Sequence, residues 1–384
     1  MILSPRRVLS IHYLLYFAGM AIILPYLNLY FDGIGLSGDQ IGVISAVRSL
    51  TAGLIPLIWG ALADRLRNRR TLFVAAACGN AFFFVFYLGL TSFIPLLAVT
   101  FVNCIFYTPI IAFLEAFSME VLGSRNREYG RLRAWGSASF IAVALLMGRV
   151  LEGRDMALVL PVLLAIGVLT ALFSPLVPKG GSSERPLSLR DGLGYFLRTR
   201  VMVFQFCAFL MLMSHGAYYA FFSIHLEKLG FSRDFIGLAW ALASLAEIVV
   251  MVFSARIFGR ISPRRLLPLA LAAAALRWGI LAHAVSAWEI LGSQLLHAIT
   301  YAAFHVGCIL YTEELIPSRA RTLAQSVNNS VSYGLGMTAG FLMSGFLFNR
   351  VGGAGAFWAS SAAAVIGSLV FFTHNAFETG RKSS

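Results

Sequence analysis

Gly60-Ala-Leu-Ala-Asp64-Arg65-Leu-Arg-Asn-Arg69-Arg70 stands between two long apolar stretches, and a weaker copy, Ala255-Arg-Ile-Phe-Gly259-Arg260-Ile-Ser-Pro-Arg264-Arg265, follows 195 residues later. The copies agree at Arg65/Arg260, Arg69/Arg264 and Arg70/Arg265, and Gly259 takes the place of Asp64. The same offset relates Asp32-Gly-Ile-Gly35-Leu-Ser37-Gly-Asp39-Gln-Ile41-Gly42 to Glu227-Lys-Leu-Gly230-Phe-Ser232-Arg-Asp234-Phe-Ile236-Gly237. Both copies run in the same direction. The chain therefore reads as a duplicated membrane protein whose halves are parallel repeats related by an axis along the membrane normal, as in many secondary transporters.

Composition agrees with that reading. The chain is 59% hydrophobic and 12% charged, against about 25% charged in soluble domains. A span needs ~20 apolar residues. Breaks at Gly, Pro and charge clusters delimit twelve such segments: 8–31, 38–62, 71–92, 94–121, 131–150, 156–177, 200–226, 234–257, 265–284, 286–312, 321–348 and 355–376. The first is too long for a signal peptide, lacks a small-residue cleavage site and reads as a retained helix. The expected fold is an all-α integral membrane protein of twelve transmembrane helices in two six-helix halves. Residues 1–177 form the first half, 178–200 a polar linker and 201–384 the second half. A short surface helix is expected over Leu187 to Leu197. The remaining loops leave no room for a soluble catalytic domain, so neither an enzyme nor a cofactor is expected.

The net charge of +13 invites a nucleic-acid reading, but its distribution argues against one. Of the 30 Lys and Arg, 22 fall on the two termini and the loops after even-numbered segments, five on the opposite side and three inside segments. This asymmetry places both termini in the cytoplasm, and the basic loops face anionic lipid. Cys78, Cys104, Cys207 and Cys308 all lie in apolar segments and read as small core hydrophobes without metal spacing. Gly336-Met-Thr-Ala-Gly340 is a small-xxx-small pattern that lets helices approach closely.

Ionisable groups at bilayer depth are costly and face a cavity or a partner. The candidates are Arg48, Glu115, Arg133, His215, Glu247, Arg277, His297 and His305. Glu115 continues a stripe with Asn103, Tyr107 and Ile111 in the fourth segment, and a Glu115–Arg133 pair reads either as a permanent bridge or as a pair opened by substrate. Glu247 and Arg277 sit near the middle of the eighth and ninth segments, with a structural and a substrate role both open. His297, Tyr301, His305, Cys308 and Thr312 form a stripe in the tenth segment, and His215, Tyr218 and Phe222 a weaker one in the seventh. Gln325, Asn328, Asn329 and Tyr333 make the eleventh polar. The three Arg and two Glu leave an intramembrane balance of +1 with His neutral, which favours an anionic substrate because an unpaired buried cation is costly.

At these residues the chain resembles the major facilitator superfamily. The loop signature of that superfamily combines a Gly, an Asp-Arg pair and a later basic pair, matched by Gly60, Asp64, Arg65, Arg69 and Arg70. Gly130-Arg131-Leu-Arg133-Ala-Trp135-Gly136, with Glu115 fifteen residues before Gly130, is similar to the lactose-permease-like symporters. Residue by residue, that resemblance implies substrate contacts at Glu115, Arg133 and Phe140, with Arg277 and His297 as further functional positions. The chain departs from it at Thr300, where a coupling Glu is expected, and at Val250, where a sugar-binding Asn is expected. Leu296-His297-Ala298-Ile-Thr300-Tyr301-Ala-Ala-Phe-His305 resembles the phenylpropionate permease branch of the same group more closely.

The resemblance implies an uptake permease of an inner membrane, coupled to protons and acting as a monomer. A small organic acid, aromatic in that branch, is the expected substrate. Arg133 and Arg277, with Arg48, are expected to hold its carboxylate, and Glu115, Phe140, Asn103, Tyr107 and Asn329 to complete the site. Glu115, Glu247, His297 and His305 are the expected proton sites, and Asp64 with its Arg cluster the expected latch. The rivals are a sugar or nucleoside symporter, a drug/proton antiporter, a membrane-embedded enzyme and a non-transporting sensor.

Overall fold

The computed structural model of the protein describes residues 4–123, 128–180, 194–253 and 261–383. These residues are helical almost throughout and contain no strand. Ten helices follow one another: α1 (Pro5–Gly33), α2 (Gly38–Leu66), α3 (Arg69–Gly89), α4 (Phe93–Leu122), α5 (Tyr129–Leu151), α6 (Met156–Leu176), α7 (Thr199–Lys228), α8 (Arg233–Val252), α9 (Pro263–His283) and α10 (Ala287–Leu315). An eleventh run, Leu323–Glu378, is far longer than one crossing requires. It breaks at Gly352, whose φ of 72° and ψ of −174° leave the helical region. Only glycine adopts such angles without strain. The break yields α11 (323–351) and α12 (353–378), so twelve spans result, as the apolar segmentation expects.

The repeat is visible in backbone geometry. Gly35 and Gly230, 195 residues apart, have φ of 89° and 86°. Gly35 N–H donates to Asp32 and Leu36 N–H to Phe31; Gly230 N–H donates to Glu227 and Phe231 N–H to Leu226. Both helices thus end in the same left-handed glycine cap. Two residues on, Ser37 Oγ accepts the Gln40 amide and Ser232 Oγ accepts the Phe235 amide, so matched serines start α2 and α8.

Contacts divide the chain into two units. Unit 1 is Met1–Glu184 with Ser223–Ala241, and unit 2 is Arg185–Phe222 with Leu242–Ser384. The core of unit 1 gathers Leu9 and Tyr13 of α1, Phe73 of α3, Phe113 and Phe117 of α4 and Leu132 of α5. Phe73 meets Phe113 and Phe117 edge to face, 6.4 and 5.8 Å between centroids, an arrangement aromatic pairs prefer. In unit 2, α7 and α11 pack with backbone almost touching. A Cβ at Gly340 would lie 2.3 Å from the Met213 carbonyl oxygen, and one at Gly336 would lie 2.6 Å from that of Phe209. The Gly336/Gly340 pattern thus marks the close approach expected of it.

Several local expectations are corrected. Gly60 to Leu66 belong to α2, so only Arg67 and Asn68 make the turn. Arg67 closes α2 in the left-handed region with φ 51°, and the Asn68 side chain accepts the Thr71 amide to start α3. The fourth segment is not one uninterrupted helix. It breaks at Thr108, because Pro109 brings no backbone donor and opens a new helical start. Cys104, Cys207 and Cys308 are buried, but Cys78 is exposed on α3 and is not a core residue. The linker helix expected over Leu187 to Leu197 and the Gly259/Arg260 copy of the loop motif lie largely outside the described residues.

Candidate functional site

In unit 1, Glu115 of α4 faces the first turn of α5. Arg133 Nη1 lies 3.3 Å from Glu115 Oε1, and the Tyr129 hydroxyl donates to the same oxygen at 3.5 Å. The Arg133 guanidinium also sits 4.7 Å from the Phe17 ring centroid. Both charged side chains remain accessible, 36% for Arg133 and 49% for Glu115. An accessible pair of this kind opens at small cost. Phe140, by contrast, is buried in the same unit.

Arg48, Asn103 and Tyr107 come together elsewhere in unit 1. They line a cavity of about 50 Å³ with Tyr16 and Asn80. Tyr16 stacks on Tyr107 with centroids 5.5 Å apart. Asn103 Nδ2 donates to the carbonyl and to the Oδ1 of Asn80, at 3.0 and 3.1 Å. Asn80 is a site residue that the sequence reading missed. A lone Asn in an apolar segment is the signal that points to it. Asn103 and Glu115 do not share a site: the one holds Asn80, the other Arg133.

The polar centre of unit 2 is built on α7, α8, α9 and α10. Arg277 is fully buried. Its Nη1 lies 2.6 Å from His297 Nδ1 and 3.3 Å from Thr300 Oγ1, and its Nη2 lies 3.1 Å from Gln294 Oε1. The Tyr218 and Trp278 rings flank the guanidinium at 4.3 and 4.6 Å. On the other edge of the imidazole, His297 Nε2 meets Glu247 Oε1 at 2.7 Å. An arginine only donates, so Nδ1 of His297 accepts and the ring hydrogen is assigned to Nε2, facing Glu247. The acid is 23% exposed where the imidazole is 3%. Gln294, bonded also to the Tyr218 hydroxyl at 3.0 Å, was missed in the sequence although it stands three residues before His297 on one helix face.

His305 Nδ1 pairs with the Tyr333 hydroxyl at 3.1 Å. The two histidines of α10 flank a π-helical stretch, Ala298–Ala303, and Tyr333 lies in another, Ser330–Gly336. Such insertions re-aim side chains and recur at functional sites. Asn329 is exposed on α11, and it is Asn328 that is buried.

The expected gating residues behave unequally. Asp64 Oδ1 is 3.8 Å from Arg69, but Arg69 also makes a close ion pair with Glu120 at the end of α4. Arg70 donates to the Pro175 carbonyl. Asp64, Arg65 and Leu66 on α2 are exposed, whereas Gly60 is half-buried. In unit 2 the matched Arg264 pairs with Glu314 at the end of α10, 3.4 Å away. The duplicated arginine therefore reaches an acid at the end of the next helix in both halves.

A family model described as the MFS_1 like family matches residues 7–359. The chain belongs to that family. It is therefore a multi-pass membrane transporter of the major facilitator type, not an enzyme. The transporter is 27% identical over 376 residues to the "Probable 3-phenylpropionic acid transporter" of Escherichia coli (strain K12), covering 95% of this chain and 97% of that one. It is 24% identical to the "Putative nucleoside transporter YegT" of the same strain, over 83% of this chain and 78% of that one. Its structure matches that of nucleoside transporter NupG with a TM-score of 0.86, covering 97% and 99% of the two chains at 16% identity. At that identity the match speaks to the fold alone.

Proposed function

We propose that this transporter takes up a small organic anion, such as an aromatic acid, together with protons and by alternating access. The observation that carries the coupling is the buried Glu247–His297–Arg277 row, with contacts of 2.7 and 2.6 Å. Proton loading has one accessible acceptor there, the Glu247 carboxylate, because the second nitrogen of His297 is engaged by Arg277. A protonated Glu247 no longer balances the Arg277 charge, so loading changes the relative energy of the transporter's conformations. Glu115 and His305 are the secondary proton sites, Glu115 through its accessible pair with Arg133.

The anionic substrate is supported by charge. Arg48, Arg133 and Arg277 outnumber Glu115 and Glu247 within the spans, and an acid substrate supplies the missing negative charge. Arg133 and Arg48 are the carboxylate-binding candidates of unit 1, while Arg277 positions His297. The 27% identity to a probable 3-phenylpropionic acid transporter supports the aromatic acid in particular. We place the transporter in a bacterial-type inner membrane as a monomer, with both termini cytoplasmic on the charge asymmetry, in contact with anionic lipid. Asp64 and Arg69 serve as the latch.

A nucleoside or sugar symporter is the second reading, favoured by the Glu115–Arg133 pair, whose acid and base suit hydroxyl groups. A competition panel of aryl carboxylates, sugars and nucleosides against one labelled substrate separates the two. Inhibition by carboxylates alone supports the first reading, and inhibition by uridine or maltose alone supports the second.

A further inference from the structure

We infer that the Arg48 cavity of unit 1 is a carboxylate-binding subsite, with Arg48, the Tyr107 hydroxyl and the Asn80 amide as its donors. The inference rests on the reading of the protein as an organic-anion transporter and deepens it by naming the anchor.

Three observations converge. First, the two acids within the spans are both engaged, Glu115 by Arg133 and Glu247 by His297. Among the described residues none pairs with Arg48, so the surplus cation of the spans is localised there. Second, the Tyr107 hydroxyl is buried on the same cavity with the Tyr16 hydroxyl as its neighbour, and a bond between the two leaves one hydroxyl hydrogen of the pair to offer a ligand. Third, Asn103 bonds the two oxygens of Asn80, which leaves the Asn80 NH₂ group as a further donor on the same cavity. The cavity thus presents a cation, a hydroxyl and an amide, and no carboxylate. That set suits an acceptor-only anion.

Size restricts what enters. A volume of about 50 Å³ holds roughly three or four water-sized groups. That accommodates the three heavy atoms of a carboxylate. The body of the substrate then extends along the Tyr16 and Tyr107 rings, which stack at 11° to one another. A neutral isostere that replaces an acceptor oxygen by NH₂ turns a donor toward the Arg48 guanidinium, which has no acceptor to offer, and loses the charge pairing, so it binds less tightly.

The test is calorimetric binding of 3-phenylpropionate and of its neutral amide, 3-phenylpropionamide, to the full chain in lipid nanodiscs. The chain is compared with Arg48→Gln, Arg48→Lys, Tyr107→Phe and Arg133→Gln. The acid is expected to bind at least tenfold more tightly than the amide, since hydrogen bonds to a charged group carry most of the discrimination. Arg48→Gln is expected to lose tenfold or more for the acid and to erase the preference. Arg48→Lys should keep most of it, and Tyr107→Phe should lose a few-fold; these two carry the test if the Gln variant does not fold. Acid binding and preference unchanged in Arg48→Gln but lost in Arg133→Gln would overturn the subsite and leave the organic-anion reading standing. Binding of uridine or maltose by a chain that binds neither probe would overturn both.

Discussion

His297 Nδ1 lies 2.6 Å from Arg277 Nη1, and this contact pins the imidazole in one neutral tautomer with its hydrogen toward Glu247. A second proton on His297 would face a guanidinium that has no acceptor to offer. The row can therefore take up a proton at Glu247 without dismantling itself, and at His297 only by breaking the Arg277 contact.

Glu247→Gln should separate coupling from binding. The amide keeps an oxygen for His297 Nε2–H but cannot exchange a proton. Accumulation driven by a pH gradient is expected to fall at least tenfold, while exchange of labelled for unlabelled substrate persists. Wild-type accumulation by the Gln variant would remove Glu247 from coupling.

Arg277 is held by three side chains in a fully buried site. Removing one member of such a buried network costs about 3–5 kcal/mol. Arg277→Ala should lower the unfolding temperature measured by intrinsic fluorescence, and Arg277→Lys should recover little, because an ammonium cannot span His297 and Gln294 as the planar fork does. Full recovery by Lys would reduce Arg277 to a point charge.

Glycine substitutions should divide by packing. Gly340→Ala puts a methyl group 2.3 Å from the Met213 carbonyl and is expected to cost about 1–3 kcal/mol by overpacking. Gly292→Ala meets nothing within 4 Å and should be neutral or stabilising by about 0.5–1 kcal/mol, as in helix interiors generally. Equal melting temperatures for the two variants would contradict the close α7–α11 approach.

Glu120 and Asp64 both face Arg69, but unequally. Asp64→Asn should depress turnover with little change in KM, whereas Glu120→Gln should also lower stability, because Arg69 is mostly buried and loses its nearer acid. Unchanged uptake in Asp64→Asn would remove it from gating.

Much of the fold was legible in the sequence because the membrane forces it. Backbone groups must pair within each segment, so apolar length alone locates the spans, and the repeat offset appears again in the φ angles of Gly35 and Gly230. The break at Thr108 was written in Pro109, but not that Asn103 holds Asn80 while Glu115 holds Arg133. The pairing of Arg277 with His297 followed from family resemblance only as two separate positions. Their contact depends on how α9 meets α10, which no local pattern encodes. Gln294 and Asn80 were missed because uncharged amides hardly alter an apolar segment, although they bond at its buried face.

The central claim, proton-coupled uptake of an organic acid, is tested most directly by radiolabelled 3-phenylpropionate in proteoliposomes under an inward-directed pH gradient, with Arg133→Ala and Glu247→Gln alongside. Accumulation that follows the gradient, collapses with a protonophore and falls at least tenfold in both variants is the predicted result. No accumulation of the acid by folded wild-type protein that does accumulate uridine or maltose would contradict it.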